Sequence, residues 1–408
     1  MAIEENPKYR KYLLTNNPFP EIADIDPSNR DIRYSGDIFN ERVFAEELKE
    51  LSARINKRVN VIYVTGGGWE RGVGKSAVVI HQWKKLLAET NATAAYVRAS
   101  NRSRPIDFCN KIVLQWHEKG YLWRAFRNFL DLYKTSSSPR ISSDKIDSLL
   151  TTYRNMPESV QLRVFTFDST ERVASDMAKF AQEKADTIRQ VVNAFFETYL
   201  SRPPEFPERY DELKVKGYDE ISFFDTFVRL LTLSKLGFHY VIIDQFEDAV
   251  RGNKKQIGDF CTEMRRILMS CAKLGLILVT LHPESEEILN GRGGEHFVGL
   301  ANIDDRHTVD IRTLAPEEAA QLAATYIDNF RAGSPKHRLY PFDEDAVKYI
   351  GYRRNGIARD ILQTLHVAIE EGIDAGYPEI DMDFIRRKHR RILGTEFMPD
   401  KLKEFERI

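Results

Sequence analysis

Five short apolar runs stand out along the chain and predict buried β-strands. They lie at residues 61–64, 94–98, 238–244, 275–280 and 307–311. Nearly continuous apolar strands are typical of a parallel sheet that helices cover on both faces. The pattern therefore predicts an α/β fold.

The stretch between the second and third runs has apolar residues at helical spacing and lacks strand signals. Helical patterns cover residues 105–133, 144–153, 173–200 and 222–236, with Ser- and Pro-rich breaks at 135–139 and 201–207. These observations predict a helical insertion at residues 101–220.

Domain boundaries follow from the same patterns. We expect an N-terminal linker and helix at residues 1–58 and an α/β core at residues 59–314, which contains the insertion. Helical patterns at residues 317–331, 343–349, 357–372 and 383–393 predict a helical lid, residues 315–408.

A glycine-rich turn ending in Gly-Lys-Ser follows the first predicted strand and opens an amphipathic helix. Glycines let backbone N–H groups converge on phosphate oxygens, while Lys75 would reach the β- and γ-phosphates and Ser76 would bind Mg²⁺. The usual first glycine falls at Trp69, whereas Gly68 stands one residue earlier, so the loop is one residue long. An ordinary glycine-rich turn is the alternative. The predicted ATP-binding residues are Gly68, Gly72, Val73, Gly74, Lys75, Ser76 and Ala77.

An aspartate ends the third predicted strand. Asp244 is our second Mg²⁺ ligand, with an ordinary acidic turn residue as the alternative. The next residue is Gln245, which cannot act as a base. Glu247 is the candidate catalytic base, and a helix-start acid or ion-pair partner is its alternative. We expect slow hydrolysis.

Further polar residues fall where a γ-phosphate would lie. Thr280 ends the fourth predicted strand and is the preferred sensor of that phosphate, whereas His282 is better explained as a loop residue. Arg359, in the lid, could reach the phosphates and couple them to domain closure, or it could be a solvated helix arginine.

Two weaker candidates concern the adenine and a neighbouring subunit. Residues 34–39 could lie against an adenine ring or form a simple turn. Arg292 or Arg306 could reach the nucleotide of a neighbouring subunit, and a surface ion pair is the alternative for each.

The order of these motifs resembles the AAA+ and STAND group of P-loop ATPases. The resemblance spans residues 30–370 and is closest to archaeal and eukaryotic origin-recognition initiators and to NTPases with an Asp-Gln-Phe-Glu signature. It depends on residues 72–76, residues 243–247, Thr280 and residues 355–359. It implies a five-stranded parallel sheet of order 5-1-4-3-2, ATP and Mg²⁺ binding, and assembly into a homo-oligomer or with a partner protein. The insertion is larger than usual, and the residues after Gly372 look too few for the winged-helix domain of initiators.

Two basic segments are candidate DNA surfaces. Residues 102–140, from Arg102 to Arg140, carry eight basic against three acidic residues. Six interleaved aromatic residues could stack bases, or they could form the core of an amphipathic insert. The second segment, from Arg386 to Arg391, could contact phosphates or be a solvated face. The aromatic residues are Trp116, Tyr121, Trp123, Phe126, Phe129 and Tyr133.

Composition and charge narrow the classes of protein to which the sequence could belong. The 408 residues are 42% apolar with a net charge of −1, which predicts two or three globular domains and gives no overall attraction to nucleic acid. The sequence has neither an apolar run of eighteen residues nor a start typical of a signal peptide, so we expect no membrane contact and a cytoplasmic location. The three cysteines lack metal-ligand spacing and are expected to be reduced and mostly buried.

The sequence thus predicts an ATP-driven switch that acts on or with DNA, by loading, remodelling or marking it. The alternative is a STAND-like signalling or defence NTPase, which assembles protein partners on nucleotide binding and hydrolyses little. The missing glutamate after Asp244 favours that alternative.

Overall fold

A five-stranded, all-parallel sheet organises the chain. The computed structural model describes residues 5–22, 24–66, 71–88, 92–100, 104–136, 142–147, 170–214, 216–249, 254–271, 273–279 and 307–407. The strand order is β2-β3-β4-β1-β5, which confirms the predicted order 5-1-4-3-2. The strands are β1 (Val61–Gly66), β2 (Thr93–Arg98), β3 (His239–Asp244), β4 (Leu274–Val279) and β5 (Thr308–Ile311).

Successive residues of each strand point to opposite faces of the sheet, and both faces are buried. Val61 and Tyr63 of β1 belong to one hydrophobic cluster, whereas Ile62 and Val64 belong to the other. A strand that is buried on both sides needs apolar residues at every position, which explains the continuous apolar runs of the sequence.

The helices between β2 and β3 and the helix before β4 cover the first face, which we call the insertion face. Within the described residues, five of them follow β2 in the sequence before a sixth helix, Glu220–Leu233, leads into β3. The helices are Pro105–Glu118, Tyr121–Lys134, Thr170–Ala185, Arg189–Ser201, Phe206–Lys214, Glu220–Leu233 and Lys254–Ser270.

The second face, which we call the lid face, packs against the N-terminal segment, the helix Lys75–Leu87 and the C-terminal helices. The glycine-rich turn that precedes Lys75 is predicted to bind phosphate, and we call it the phosphate loop. The N-terminal segment adheres to the lid, because Thr15 N–H donates to the Phe330 carbonyl at 2.8 Å and Phe19 packs on Tyr326. The helices are Ala45–Asn56, Lys75–Leu87, Pro316–Asn329, Glu344–Arg353, Ala358–Asp374, Met382–Leu393 and Pro399–Phe405.

Three local expectations differ from the structure. The helical pattern at residues 173–200 forms two helices, Thr170–Ala185 and Arg189–Ser201. The helical pattern at residues 105–133 forms two helices, Pro105–Glu118 and Tyr121–Lys134. The first helix ends just before Gly120, because this residue takes a positive φ of 73° that does not continue a right-handed helix. The break at residues 201–207 is shorter than predicted, because a 3₁₀ turn, Pro203–Glu205, leads directly into a helix that begins at Phe206. Proline fits the first turn of a helix, where its missing N–H is not needed.

Two further expectations concern the cysteines and membrane-spanning helices. Cys109, Cys261 and Cys271 are buried free thiols, as predicted. No helix within the described ranges is both long enough and apolar enough to cross a bilayer. The cytoplasmic location stays a prediction.

Candidate functional site

The phosphate loop follows β1 and ends at the first residue of a helix. Gly72 and Gly74 adopt φ angles of 81° and 115°, a region that L side chains rarely enter. Gly74 is the N-cap of the helix Lys75–Leu87, so the free N–H groups of the first helical turn face the cleft beside it. Lys75 is buried, with 2% of its surface exposed, and Val73 is fully buried. Gly68 lies outside the described residues.

Asp244, at the carboxyl end of β3, meets the first turn of that helix. The Ser76 hydroxyl donates to Asp244 Oδ1 at 3.2 Å, and the Tyr96 hydroxyl donates to Oδ2 at 2.5 Å. The backbone N–H of Gln245 donates to Oδ1 at 2.9 Å. The structure therefore brings together the two residues predicted to bind Mg²⁺.

The environment of Asp244 suits a cation. Burial raises the pKa of the Asp244 carboxyl above its usual value, while the hydrogen bonds from Tyr96 and Ser76 lower it. A hydroxyl and a carboxylate are hard oxygen donors, which Mg²⁺ prefers, and Mg²⁺ typically takes only one or two protein ligands besides phosphate and water. Ser76 and Asp244 therefore fit the predicted metal.

Arg359 lies against the phosphate loop. Its backbone N–H donates to the Gly72 carbonyl at 2.9 Å. A Cβ atom built on Gly72 would lie only 2.7 Å from Arg359 Cβ, so glycine is required there for space as well as for conformation. The lid helix Ala358–Asp374 thus begins in direct contact with the loop.

A cleft of about 830 Å³, partly open to solvent, joins these parts. Its polar lining consists of the loop glycines, Lys75, Ser76 and Ala77, together with Gln245, Arg359, Asp24 and Arg33. The rest of its lining is apolar, and the ring of Phe39 stacks on Phe44 with centroids 5.3 Å apart. The apolar lining is Ile25, Ile38, Phe39, Phe44, Leu322, Tyr326 and Leu362. Part of the segment predicted to face adenine, Ile38 and Phe39, therefore lines the cleft.

Several predicted site residues fall beyond this description. Thr280, His282, Arg292 and Arg306 lie outside the described residues. Glu247 has a described backbone in the short helix Phe246–Ala249, two residues after the strand ends, but its side chain lies outside the description. Their roles stay predictions.

The sequence interpretation missed Tyr96 and Arg98, which both lie on β2. Arg98 Nε donates to Gln245 Oε1 at 2.8 Å, and its Nη2 atom pairs with Asp24 at 2.9 Å. A signal was present, because the predicted sheet order places β2 next to β3. In the observed register Arg98 stands directly opposite Asp244.

The base-stacking interpretation of residues 102–140 is wrong. All six aromatic residues are buried, with exposed fractions from 0% for Trp116 to 8% for Trp123, so none presents a ring face to a nucleic acid. They form the core of the insertion instead. Of the basic residues there, Arg104 pairs with Asp107 and Lys134 with Asp147. Arg102 and Arg140 lie outside the described residues.

The second basic segment lies on the helix Met382–Leu393. Its cations pair with nearby carboxylates: Arg391 and Lys388 share Glu371, and Arg390 contacts Glu396. His389 is buried, whereas the side chain of Arg390 is 82% exposed and that of Arg391 is 68% exposed. The segment is a helix face with a buried histidine, and its arginines are accessible.

Fold and site together define a parallel α/β sheet with a glycine-rich loop at its carboxyl edge. No family model matches the sequence, and no curated protein matches it significantly. Among solved structures, the chain is similar to Cdc6p from Pyrobaculum aerophilum, with 12% identity, a TM-score of 0.43, and coverage of 90% of this chain and 70% of that one. The geometry of the site therefore carries the functional argument.

Proposed function

We propose that this protein is an ATP-binding and ATP-hydrolysing molecular switch. One observation carries the proposal: Arg359 of the lid contacts Gly72 of the phosphate loop, in the same cleft as Lys75 and Ser76. A triphosphate in this cleft would contact the sheet edge and the lid at once. Nucleotide state would therefore bias the position of the lid.

The phosphate end supplies the charges that a nucleotide needs. Lys75 and Arg359 would pair with phosphate oxygens, and the N–H groups of the first helical turn would donate to them. Ser76 and Asp244 would hold Mg²⁺, which shields the phosphate charge when it is bound. The apolar end, around Ile38 and Phe39, would take the adenine.

Hydrolysis would use residues that follow β3 and β4 in the sequence. Glu247 is our candidate base, and Thr280 is our candidate sensor of the γ-phosphate. Gln245 follows Asp244 directly and cannot remove a proton, so slow turnover is expected. Assembly with a second copy or a partner protein would allow Arg292 or Arg306 to act on a neighbouring nucleotide.

DNA is the proposed partner, through the basic helix Met382–Leu393. Exposed ion pairs such as Arg390 with Glu396 contribute about 0–1 kcal/mol, so DNA phosphates can replace the carboxylate at low cost. The basic residues of 102–140 are a second candidate contact, limited to phosphates because the aromatic rings there are buried.

A second candidate function is a STAND-like switch that assembles protein partners and hydrolyses little. The observation that favours it is Gln245, which occupies the position after Asp244 and is held there by Arg98. The two candidates share the nucleotide site and differ in turnover and partner.

The test is ATP turnover by the purified protein, alone and with single- or double-stranded DNA. Lys75→Ala and Glu247→Gln are compared with the wild type, and Lys85→Ala, an exposed lysine on the same helix, is the matched control. The first candidate would be supported if DNA stimulates turnover and if Lys75→Ala abolishes turnover while Lys85→Ala leaves it intact. Loss of turnover in Glu247→Gln would identify the base.

Salt separates the two candidates further. DNA binding through phosphates should weaken steeply between 50 and 200 mM salt, as expected of counterion release with several contacts (roughly tenfold or more). ATP binding without turnover, with nucleotide-dependent assembly and no DNA binding, would support the second candidate. No nucleotide binding by the wild type would refute both.

A further inference from the structure

Gln245 occupies an unusual place beside the phosphate loop. It follows Asp244 at the carboxyl end of β3 and takes a positive φ of 55°, which is uncommon for a residue other than glycine. The side chain lines the same cleft as Lys75 and Ser76. Because glutamine cannot be a general base, its position calls for another role.

Arg98 fixes which way the Gln245 amide points. A guanidinium has only donors, so the atom that faces Arg98 Nε at 2.8 Å must be the amide oxygen. The two N–H bonds of Nε2 then lie on the other side of the amide. Within the described part of the chain, Nε2 makes no hydrogen bond, although the side chain lines the cleft.

Arg98 is itself held in place. Its Nη2 atom contacts both carboxylate oxygens of Asp24, at 2.9 and 3.0 Å, and its backbone stands opposite Asp244 in the sheet. Asp24 belongs to the N-terminal segment and contacts Arg98 at the carboxyl end of β2. The linked contacts of Asp24, Arg98 and Gln245 therefore leave an amide donor, rather than an acceptor, unpaired among the described residues, on a residue that lines the cleft.

We infer that Gln245 distinguishes ATP from ADP by donating a hydrogen bond to the terminal phosphate, with Arg98 as its positioning residue. This inference rests on the proposed nucleotide site and goes beyond it, because it assigns recognition of the third phosphate to a residue that no catalytic step uses. A glutamate at this place would also accept from Arg98, but its second oxygen would repel the phosphate. The amide is therefore the side chain that suits both neighbours.

The test measures dissociation constants for a non-hydrolysable ATP analogue and for ADP, both with Mg²⁺, by calorimetry. Gln245→Ala should weaken binding of the analogue about tenfold or more, the range for a hydrogen bond to a charged group, and change ADP binding less than twofold. Gln245→Glu should weaken binding of the analogue further. Gln182→Ala, an exposed glutamine of the insertion, is the control and should change neither constant.

Arg98 provides the test of positioning. Arg98→Met should lower the preference for the analogue over ADP by a smaller factor than Gln245→Ala does, because the freed amide presents its nitrogen only part of the time. Arg98→Lys, which keeps a donor, should restore part of the preference. Both variants should unfold at nearly the temperature of the wild type, since a purely structural role would move that temperature and leave the preference intact.

The outcomes separate this inference from the proposed function. If Lys75→Ala abolishes binding of both nucleotides while Gln245→Ala changes both constants equally or neither, the nucleotide site stands and the role of Gln245 is refuted. If the wild type binds neither nucleotide, both proposals are refuted.

Discussion

The two faces of the sheet carry different kinds of contact. The insertion face packs against aromatic side chains, such as Trp116 stacked on Phe224, and none of the described residues that line the cleft belongs to the insertion. The lid face packs against elements that also line the cleft, including Leu322 and Arg359. In the described part of the chain, the insertion face therefore contributes packing alone, whereas the elements that pack on the lid face also line the proposed nucleotide site. Substitutions on the two faces should therefore separate stability from nucleotide binding.

Trp116→Ala should have the largest effect on stability. Trp116 is fully buried between the sheet and the insertion helices, so its truncation leaves a large cavity and should cost about 3–5 kcal/mol of unfolding free energy. ATP affinity measured well below the unfolding transition should stay within about twofold of the wild type. Urea unfolding and calorimetry give the two numbers. A large loss of affinity in a folded variant would break the distinction between the faces.

Gly72→Ala and Gly120→Ala form a matched pair across the two faces. Both glycines have positive φ, so the backbone strain of each alanine should cost about 1–2 kcal/mol in unfolding free energy. A Cβ atom on Gly120 meets nothing within 4 Å, whereas one on Gly72 collides with Arg359. Only Gly72→Ala should also weaken ATP binding, by roughly tenfold or more, because the loop must shift. Equal affinities in the two variants would contradict the proposed contact.

Acid should act first on the insertion face, through His239. Burial lowers the pKa of this imidazole to about 3, and both ring nitrogens face threonine hydroxyls, Thr93 at 2.8 Å and Thr232 at 3.2 Å. The unfolded chain binds a proton below pH 6.5 that the folded chain refuses, so stability falls as the pH falls from 6.5 towards 3. The contribution of His239 to the loss between pH 7.5 and 5 should be about 2 kcal/mol, and the buried His117, whose pKa is also lowered, should add to the total loss.

His239→Gln is the control for this pH dependence. The variant should be less stable at pH 7.5, because it loses packing beside Trp116, yet its unfolding free energy should fall less between pH 7.5 and 5. Urea unfolding at several pH values, followed by tryptophan fluorescence, measures both. An unchanged slope would show that other groups dominate the acid response.

Arg359→Ala should have the smallest effect of the four, and it should fall on ATP affinity rather than on stability. The backbone hydrogen bond to Gly72 survives the substitution, whereas the guanidinium is lost, so affinity should fall about tenfold. Arg338→Ala, an exposed arginine elsewhere in the lid, is the control. If both variants bind ATP equally, Arg359 is only a solvated helix residue.

The sheet could be predicted because each strand is recognisable from its own short segment of sequence. Strands buried on both faces need unbroken apolar runs, and these alone identified all five strands and, with the resemblance, their order. Four lid helices were located within a few residues by their spacing, for example the predicted 357–372 and the observed Ala358–Asp374, whereas the short helix Pro399–Phe405 was not predicted. Gly120, by contrast, gave no sequence signal that separated a tolerated helix glycine from a helix end.

The site was only half predictable, for a different reason. Lys75, Ser76 and Asp244 follow from motifs in single segments, and the structure places them together. Tyr96 and Arg98 act across strands, so their roles depend on register, which a single segment does not contain. The aromatic residues of the insertion failed as a base-stacking surface because composition does not reveal which side of a helix faces the core.

The contact between the lid and the phosphate loop also bears on which amino-acid replacements this sequence can accept during evolution. It is made by main-chain atoms, the N–H of Arg359 and the carbonyl of Gly72. Side-chain replacements at position 359 change the charge there but cannot delete that amide, except for proline. Lineages descended from this sequence could therefore exchange the arginine, alter their nucleotide preference or lose turnover, and still inherit the mechanical connection between the two parts.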